Sequence, residues 1–305
     1  MFAYLVHPDL SPTILDIVGP LAIRWYSLMY IVGFGFCLLF LYISRKKNKL
    51  LLKPEEVSDI AFTIFLGLLI GARLGFMLFY DFSGMAADLT QIFRVWEGGM
   101  SFHGGMIGMI IALLIYSLTK KRNFVELLDV FVVPIPVALA CGRWGNFINQ
   151  ELWGKPTSMP WGMIFPKIPP SKYVSTADPV AQQIMQKAGI VADPSQQMIN
   201  LPRHPTQLYE MCLEGIVLFL ILYILYRKKN LPRGILISTF MLGYGLSRFF
   251  VEFWREPDQQ LGYLFGGWLT MGIVLSLPMI LIGIGGLIYF NLNKKGNSLW
   301  ASSAN

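Results

Sequence analysis

Apolar runs of about 20 residues, separated by short charged segments, occupy most of the chain, and each is long enough to cross the ~30 Å hydrocarbon core of a bilayer as an α-helix. The pattern therefore predicts an all-α integral membrane protein with seven transmembrane helices in a single polytopic domain, residues 1–305. The predicted spans are 25–43, 57–80, 101–118, 124–143, 206–226, 234–252 and 268–290.

The positive charges between the runs predict the orientation of the chain. Four segments hold 14 of the 25 Lys and Arg residues, whereas residues 81–100 contain only Arg94. These basic segments are 44–53, 119–122, 227–233 and 293–295. Because cytoplasmic loops are enriched in Lys and Arg, the bias predicts an outside N-terminus and a cytoplasmic C-terminus, as an odd number of spans requires.

Composition favours a membrane protein over a soluble or nucleic-acid-binding one. Charged residues make up only 14% of the chain, against about 25% in soluble proteins. The net charge of +7 does not indicate nucleic acid, because the basic residues cluster at the ends of the apolar runs and so indicate topology. The first 23 residues contain no Lys or Arg, unlike a cleavable signal peptide, and are predicted to form a translocated tail or an interfacial helix.

One long segment between the fourth and fifth runs does not have the composition of a membrane span. Residues 144–205 contain nine of the eighteen prolines and are predicted to form a small head segment on the outer face. Only 178–190 resembles a short helix. Such a segment is more typical of a cap or gate over a site than of an independent domain.

The second run contains both packing and charged positions. Gly67, Gly71 and Gly75 are spaced four residues apart, a stripe that allows close helix packing, and Gly104 and Gly108 repeat it on the third run. Arg73 lies on a different side of its helix, and an interior ion pair is its commoner explanation.

Three ionisable residues share one face of the sixth run. Arg248, Glu252 and Arg255 are spaced i, i+4 and i+7 on a predicted helix. One interpretation is an ion pair that holds two helices together. The other is a site for an anionic ligand, since two arginines face one carboxylate and guanidinium binds phosphate through two parallel hydrogen bonds.

The end of the fourth run, "GRWGNFINQELWG", is rich in polar residues. Arg143, Asn146 and Gln150 would share a face if the helix continued, and Glu151 follows. Arg143 alone could extend to the interface as a snorkelling side chain. The amides, the carboxylate and the glycines around it favour a folded polar site instead.

His103 lies between glycines at the outer end of the third run. It is either a structural helix-end residue or a proton acceptor, since imidazole titrates near neutral pH. Tyr26 enters from the same outer side. Three histidines and no cysteine cluster provide no metal site, and no nucleotide-binding motif is present, so no cofactor is expected.

His103 and the polar residues of the fourth and sixth runs lie in motifs that resemble those of the bacterial prolipoprotein diacylglyceryl transferases, and the resemblance covers essentially the whole chain. The matching motifs are "HGG" at 103–105, "GRWGNFINQELWG" at 142–154, "RHPTQLYE" at 203–210 and "RFFVEFWREPDQQLG" at 248–262. The resemblance implies transfer of the diacylglyceryl group of phosphatidylglycerol to the lipobox cysteine of a preprolipoprotein, giving a thioether and glycerol phosphate. It also implies a multi-pass protein of the bacterial inner membrane with its active site toward the periplasm, and no cofactor or metal.

The resemblance also assigns roles to individual residues. Arg143 and Arg248 would hold the phosphate, and His103 would activate the thiol, although the positive field alone could also do so. Arg255 would tune the headgroup site, and Glu252 would orient the arginines. The pocket would be shaped by Tyr26, Asn146, Glu151 and Gly154.

A rival function is a transporter or channel for an anionic solute, with the same arginines forming its filter. The absence of an internal inverted repeat and the presence of the motifs favour the transferase. Bond cleavage during turnover would distinguish the two.

Overall fold

The structure is a computed structural model of the 305-residue chain. It describes residues 4–18, 21–47, 50–79, 81–82, 86, 88–94, 99–228, 230–257, 262–296 and 299. The described residues divide into two compact units. The first comprises the N-terminal part to Cys37, residues 132–228 and residues 235–292, and the second comprises residues 38–131, 229–234 and 293–305.

Helices account for most of the described chain, in agreement with the predicted helical membrane protein. They are α1 (Trp25–Lys46), α2 (Pro54–Phe79), α3 (Phe102–Thr119), α4 (Phe124–Val132), α5 (Ile135–Ile148), α6 (Pro179–Ala188), α7 (Thr206–Glu210), α8 (Leu218–Tyr226), α9 (Ile235–Glu252) and α10 (Met271–Asn293). A seven-residue π-helix, Met211–Val217, joins α7 to α8, and two short 3₁₀ helices occupy Leu89–Phe93 and Pro170–Lys172.

Among the residues that the structure describes, five helical segments are long and apolar enough to cross a membrane. They are Trp25–Lys46, Pro54–Leu78, Thr206–Tyr226, Ile235–Glu252 and Met271–Asn293. A sixth is the pair α4 and α5, which is bent by 49° at its break, and His103–Thr119 is a shorter apolar helix. The chain is therefore a multi-pass membrane protein with five or six candidate spans. Residue 80, the end of the second predicted span, lies outside the described residues.

The fourth predicted span differs from the structure in two respects. It is not one continuous helix, and it extends to Ile148 rather than ending at residue 143. Pro134 and Pro136 lie at and just after the break. Because proline lacks an amide proton and its ring clashes with the preceding helical turn, it interrupts a helix at this position.

Short strands accompany the helices of this predominantly helical chain. The described residues form three two-stranded sheets: β1 (Leu5–Val6) with β4 (Met163–Ile164), β2 (Thr13–Val18) with β3 (Leu21–Arg24), and β5 (Val174–Ser175) with β6 (Met198–Ile199). The first sheet is parallel and the other two are antiparallel. The segment before α1, predicted as a tail or an interfacial helix, is thus partly a β-hairpin.

The short helix predicted at 178–190 is confirmed as α6. Asp178 caps its start by accepting hydrogen bonds from the amides of Val180 and Ala181, and Pro179 occupies its first turn. Gly189 ends it with a positive φ of 69°. Each of these residues is favoured at its position by its own backbone chemistry.

In the second unit, α2 and α3 pack at very short range through glycine. A Cβ atom added to Gly75 would lie 2.6 Å from the Cα of Gly104, and one added to Gly71 would lie 2.7 Å from the Cα of Gly108. Any side chain at these positions would force the two backbones apart. The predicted stripe of glycines is confirmed as the contact surface.

Arg73 also acts within the second unit. Its buried guanidinium donates to the backbone carbonyls of Gln91 (2.5 Å), Arg94 (2.9 Å), Gly99 (3.1 Å) and Ile92 (3.3 Å). These bonds tie the segment before α3 to α2.

Candidate active site

A fully buried carboxylate, Glu210, lies at the centre of the charged residues of the first unit. Its Oε1 accepts hydrogen bonds from Nη1 of Arg255 (2.8 Å) and Nη1 of Arg248, and its Oε2 lies 3.1 Å from Nε of Arg143. Three guanidinium groups therefore converge on one glutamate that is 0% exposed. A buried carboxylate is stable only when it is compensated in this way.

The elements that supply these residues meet at their ends. Arg143 lies near the C-terminal end of α5, Arg248 lies near the end of α9, and Glu210 ends α7 at the start of another candidate span. The charges are therefore placed where apolar helices join the 149–205 segment and the chain that follows α9. Ionisable groups at such positions normally face protein or a polar cavity rather than lipid.

Two further glutamates complete the network, which we call the arginine–glutamate cluster: Arg143, Arg248, Arg255, Glu210, Glu214 and Glu252. Glu214 in the π-helix receives one contact, from Nη2 of Arg143 at 3.3 Å. Glu252 Oε2 lies 3.0 Å from Nη2 of Arg248, and its Oε1 accepts a hydrogen bond from Thr270 at 2.7 Å.

The cluster contains three positive and three negative side chains, so it is formally neutral. The net positive face inferred from α9 alone is therefore wrong for the assembled site, because α7 and the π-helix contribute acids that sequence spacing did not associate with α9. The arginines still differ in access: the side chain of Arg143 is 20% exposed, that of Arg248 15% and that of Arg255 7%. Anions can therefore reach Arg143 and Arg248 most easily.

After α5 the chain makes a tight polar turn rather than continuing as a helix. Gln150 and Leu152 both have a φ of 57°, in the left-handed region that non-glycine residues seldom adopt. Gln150 therefore does not share a helical face with Arg143 and Asn146, as its spacing had suggested. Instead, the side-chain Nε2 of Gln150 donates to the carboxylate of Asp9 (2.9 Å), and its side-chain Oε1 accepts a hydrogen bond from the backbone N–H of Lys167 (2.9 Å).

Hydrogen bonds hold Glu151 at this turn. The side chains of Asn146 and Asn149 donate to its two carboxylate oxygens at 3.3 Å and 3.2 Å. Its backbone carbonyl accepts from Gln207, which follows Thr206 in α7. Asn146 and Glu151, both predicted as pocket residues, are thus brought together by the turn.

Gly154 lies where two segments of backbone cross. Its amide donates to the carbonyl of His204 at 2.9 Å, and it pairs with Arg255 in an isolated antiparallel bridge. A Cβ at this position would lie 2.5 Å from the carbonyl oxygen of Trp254. The absence of a side chain is what brings the Glu151 turn next to Arg255.

Tyr26 contacts α5 from the first turn of α1. Its hydroxyl shares a 3.0 Å hydrogen bond with that of Tyr30. A Cβ on Gly145 would lie 2.9 Å from the ring of Tyr26, so this glycine allows the ring to approach α5 between Arg143 and Asn146. The structure thus places Tyr26 beside the helix that carries Arg143.

Arg203, a residue to which the sequence assigned no role, organises the same region. Its guanidinium stacks 4.6 Å from the ring centre of Trp153 and donates to the carbonyls of Gly154 (3.2 Å) and Lys172 (2.6 Å), and to Glu256 (3.2 Å). Burial lowers the pKa of Arg203, and the charge of Glu256 opposes that shift. The "RHPTQLYE" motif contained this residue, but nothing in its spacing indicated contact with Gly154.

His204 and Tyr209 form a second unassigned pair. The indole N–H of Trp161 donates to the Tyr209 hydroxyl at 2.7 Å, so that hydroxyl is available to donate to Nδ1 of His204 at 3.0 Å. Burial, followed by the positive charge of Lys155, lowers the pKa of His204. The neutral form of His204, with its proton on Nε2, fits this chain of donors.

His103 belongs to the second unit. It lies exposed in the first turn of α3, whose start is capped by Ser101, the acceptor of a 3.2 Å hydrogen bond from the Gly104 amide. Arg143, Arg248, Arg255, Glu252, Tyr26, Asn146, Glu151 and Gly154 all belong to the first unit. The structure therefore brings the predicted arginines and pocket residues into one unit and places the predicted base in the other.

Partly exposed guanidinium groups held by buried carboxylates are suited to binding an anion and to stabilising negative charge that develops on it. Comparison with known proteins is consistent with this chemistry. Residues 12–289 match the family model described as prolipoprotein diacylglyceryl transferase.

Curated relatives carry the name phosphatidylglycerol–prolipoprotein diacylglyceryl transferase. Two from Pseudomonas putida, strains F1 and GB-1, are each 46% identical over 294 residues, covering 95% of this chain and 97% of their own. One from Pseudomonas fluorescens SBW25 is 46% identical over 293 residues, covering 95% of this chain and 96% of its own. The chain belongs to the prolipoprotein diacylglyceryl transferase family.

Gly154→Ala should separate the two backbone segments that cross at this residue. We expect faster deuterium exchange at the amides of residues 154 and 155, which donate to His204 and Trp254, because the added methyl group displaces the bridge to Arg255. Mass spectrometry of the exchanged protein measures this. Gly142→Ala, with no atom near its Cβ position, is the matched control, and equal exchange in both variants would contradict the crowding at Gly154.

Proposed function

We propose that this chain transfers the diacylglyceryl group of phosphatidylglycerol to the lipobox cysteine thiol of preprolipoproteins. The products are a thioether and glycerol phosphate. The observation that carries the proposal is the convergence of Arg143 and Arg248 on Glu210, which orients two partly exposed guanidinium groups beside each other. Family membership and the names of the relatives support the same reaction.

The chemistry of the donor explains why arginines are needed. The lipid headgroup is joined through a phosphodiester, and breaking the carbon–oxygen bond between the diacylglyceryl group and the phosphate leaves the bonding electrons, and so an added negative charge, on the departing glycerol phosphate. Arg143 and Arg248 bind that phosphate through paired hydrogen bonds, which strengthen as the bond breaks. Arg255, held on Glu210, adjusts the headgroup site, and Glu252 orients Arg248.

The acceptor thiol must lose its proton before it attacks the glyceryl carbon. His103, exposed in the first turn of α3, takes that proton. Tyr26, Asn146, Glu151 and Gly154 shape the pocket in which the thiol and the lipid meet. Neither a metal nor a nucleotide takes part, since the leaving group is already activated as a phosphate ester.

The proposed topology places this chemistry on the outer face of the bacterial inner membrane. Seven helices cross the membrane, with α3 as the third span and α4 with α5 as the fourth. The N-terminus and the head segment 144–205 lie in the periplasm, and the C-terminus lies in the cytoplasm. The clustering of Lys and Arg in 44–53, 119–122, 227–233 and 293–295 supports this orientation.

The reaction is tested directly with purified protein, phosphatidylglycerol labelled in its headgroup and a lipobox peptide. Labelled glycerol phosphate should appear in step with the thioether, and a peptide with serine in place of the cysteine should release almost none. Release without any peptide would indicate a phospholipid hydrolase, and passage of an anion across vesicles without bond cleavage would indicate the rival transporter or channel.

The orientation makes a separate prediction. Cysteines introduced at 171–200 should react with a membrane-impermeant thiol reagent added outside intact cells, because that segment lies in the periplasm. Cysteines at 46–49 or 228–230 should be protected until the membrane is permeabilised. The reverse labelling pattern would move the site to the cytoplasm.

Replacing Arg143 or Arg248 with lysine should abolish most of the transfer activity. Lysine keeps the charge but binds phosphate as a point charge without the paired geometry of guanidinium. The rate of glycerol phosphate release measures the effect, and Arg227→Lys at the end of α8 is a matched surface control. Full activity in both lysine variants would assign these arginines to structural ion pairs.

His103→Gln should reduce transfer by about 10² or more, the usual scale for loss of a general base, while donor lipid still binds. The loss should shrink at alkaline pH, where the peptide thiol ionises without help. Release and lipid binding are measured on the same preparations. Normal turnover near neutral pH would make His103 a structural helix-end residue.

A further inference from the structure

Glu214 is the least compensated acid in the arginine–glutamate cluster. Both oxygens of Glu210 lie within 3.1 Å of guanidinium nitrogens, and both oxygens of Glu252 are contacted, one by Arg248 and one by Thr270. Among the described residues, the single partner of Glu214 is Nη2 of Arg143 at 3.3 Å. The other oxygen of Glu214, Oε1, is buried with neither a hydrogen bond nor an ion pair among the described residues, whereas the oxygens of Glu210 and Glu252 that also lack a hydrogen bond each lie close to a guanidinium nitrogen.

In the part of the chain that the structure describes, no second cation is devoted to Glu214. It is 0% exposed. The ionisable groups that face it are Arg143 from α5, Arg248 and Tyr244 from α9, and Glu210 one turn earlier in the same segment. Arg248 is already engaged by Glu210 and Glu252, and Glu210 adds repulsion. Among the described residues, the buried carboxylate of Glu214 is therefore paired only with Arg143, which it shares with Glu210.

The partner of Glu214 is also the arginine that an anion reaches most easily. Arg143 is the most exposed guanidinium of the cluster, and its Nη1 has no partner among the described residues. If a phosphodiester binds Arg143 through two parallel hydrogen bonds, its oxygens must occupy the side of the guanidinium that carries Nη1 and Nη2. Glu214 and the phosphate therefore compete for Nη2.

The charge balance of the cluster also requires a change at one carboxylate when a phosphodiester binds. The cluster balances three cations against three carboxylates, so a bound phosphodiester brings an uncompensated negative charge into a poorly hydrated site. The Coulomb cost of two close anions is large there. Protonating one carboxylate removes this repulsion. Glu214 has one weak contact and one oxygen without a partner among the described residues, so its protonation gives up the least favourable interaction energy.

We propose that Glu214 is the exchangeable counter-ion of Arg143: the phosphate of the donor lipid displaces it, and Glu214 takes up one proton as the lipid binds. This inference rests on the proposed function, since it needs an anionic lipid at Arg143. It adds a positioning residue that makes donor binding depend on protons. No covalent bond changes in this step.

The sign of the pH dependence follows from the exchange. Donor binding needs protonated Glu214, so affinity is full at low pH and falls as pH rises through the titration of that group. One linked proton gives a decline of about tenfold in affinity per pH unit. The phosphodiester keeps its single charge throughout this range, so the ligand contributes no slope.

The test measures binding of phosphatidylglycerol to the purified protein, without peptide, from about pH 5.5 to about pH 8.5, the range that spans the titration of buried carboxyl and histidine groups. Proton uptake is followed in the same titration with a pH indicator at low buffer capacity. We expect uptake of about one proton per lipid in the wild type where the affinity slopes. In Glu214→Gln we expect none, with a flat profile that exceeds the wild-type affinity at alkaline pH.

Two controls separate this exchange from other titrations. Glu256→Gln, whose carboxylate pairs with Arg203 outside the cluster, should keep the wild-type slope, which also excludes a general effect of removing a carboxylate. Diacylglycerol, which lacks the phosphate, should bind without proton uptake in every variant.

Three results would overturn the inference. Wild-type binding without proton uptake overturns it regardless of whether Glu214→Gln folds, and an unchanged slope in a folded Glu214→Gln protein assigns the proton to another group. If either occurs while thioether formation is intact, the proposed function survives and only the exchange fails. Absence of phosphatidylglycerol binding at every pH, together with absence of thioether product, removes both.

Discussion

The ion-pair network around Glu210 is the interaction on which the rest of the site depends. The buried carboxylate of Glu210, at the end of α7, forms ion pairs with Arg143 of α5, with Arg248 of α9 and with Arg255 in the segment that follows α9. Removing one partner from a buried pair costs about 3–5 kcal/mol because the other charge is left uncompensated. Loss of Glu210 would remove the carboxylate that three guanidinium groups share, so this residue positions the arginines as well as stabilising the helices that carry them.

Glycine and backbone geometry then decide what the arginines can reach. Gly154 lets the polar turn after α5 lie against the backbone beside Arg255, and Gly145 lets the ring of Tyr26 lie against α5. The π-helix at Met211–Val217 carries Glu214 next to Arg143. Segments of this rare type are frequent at functional sites, and here one positions Glu214 against Arg143, its only partner among the described residues.

Local patterns predicted the parts of this protein that depend on local physics. Hydropathy identified the helices because a membrane imposes a minimum apolar length. The i, i+4 spacing placed Arg248 and Glu252 on one helix face, where the two side chains form an ion pair. The stripe of Gly67, Gly71 and Gly75 correctly marked a close contact between helices. The prolines at 134 and 136 were a visible signal for the break in the fourth span, although the apolar pattern runs straight through it.

Long-range partners were beyond such patterns. Glu210 ends the "RHPTQLYE" motif, and Glu214 lies in the apolar run that follows that motif. Both contact Arg143, which lies about 70 positions earlier in the sequence, 71 for Glu214. Helical periodicity relates only residues three or four positions apart, so it could not predict these contacts. Arg203 was missed for the same reason, since its partners are backbone carbonyls at Gly154 and Lys172. The hairpin of β2 and β3 was missed because a short, mainly apolar segment reads equally well as a strand or as a helix.

The distribution of the cluster along the chain has a consequence for biogenesis. Helix α9 brings Arg248 and Glu252 into the membrane as a ready-made pair, whereas Arg143 on α5 is synthesised well before Glu210 and Glu214. Arg143 lies near the end of α5, so its side chain can extend toward the interface before its partners are made. The later helix that begins at Thr206 then brings Glu210 and Glu214 to it. Arg143 is therefore paired only after that helix has been synthesised.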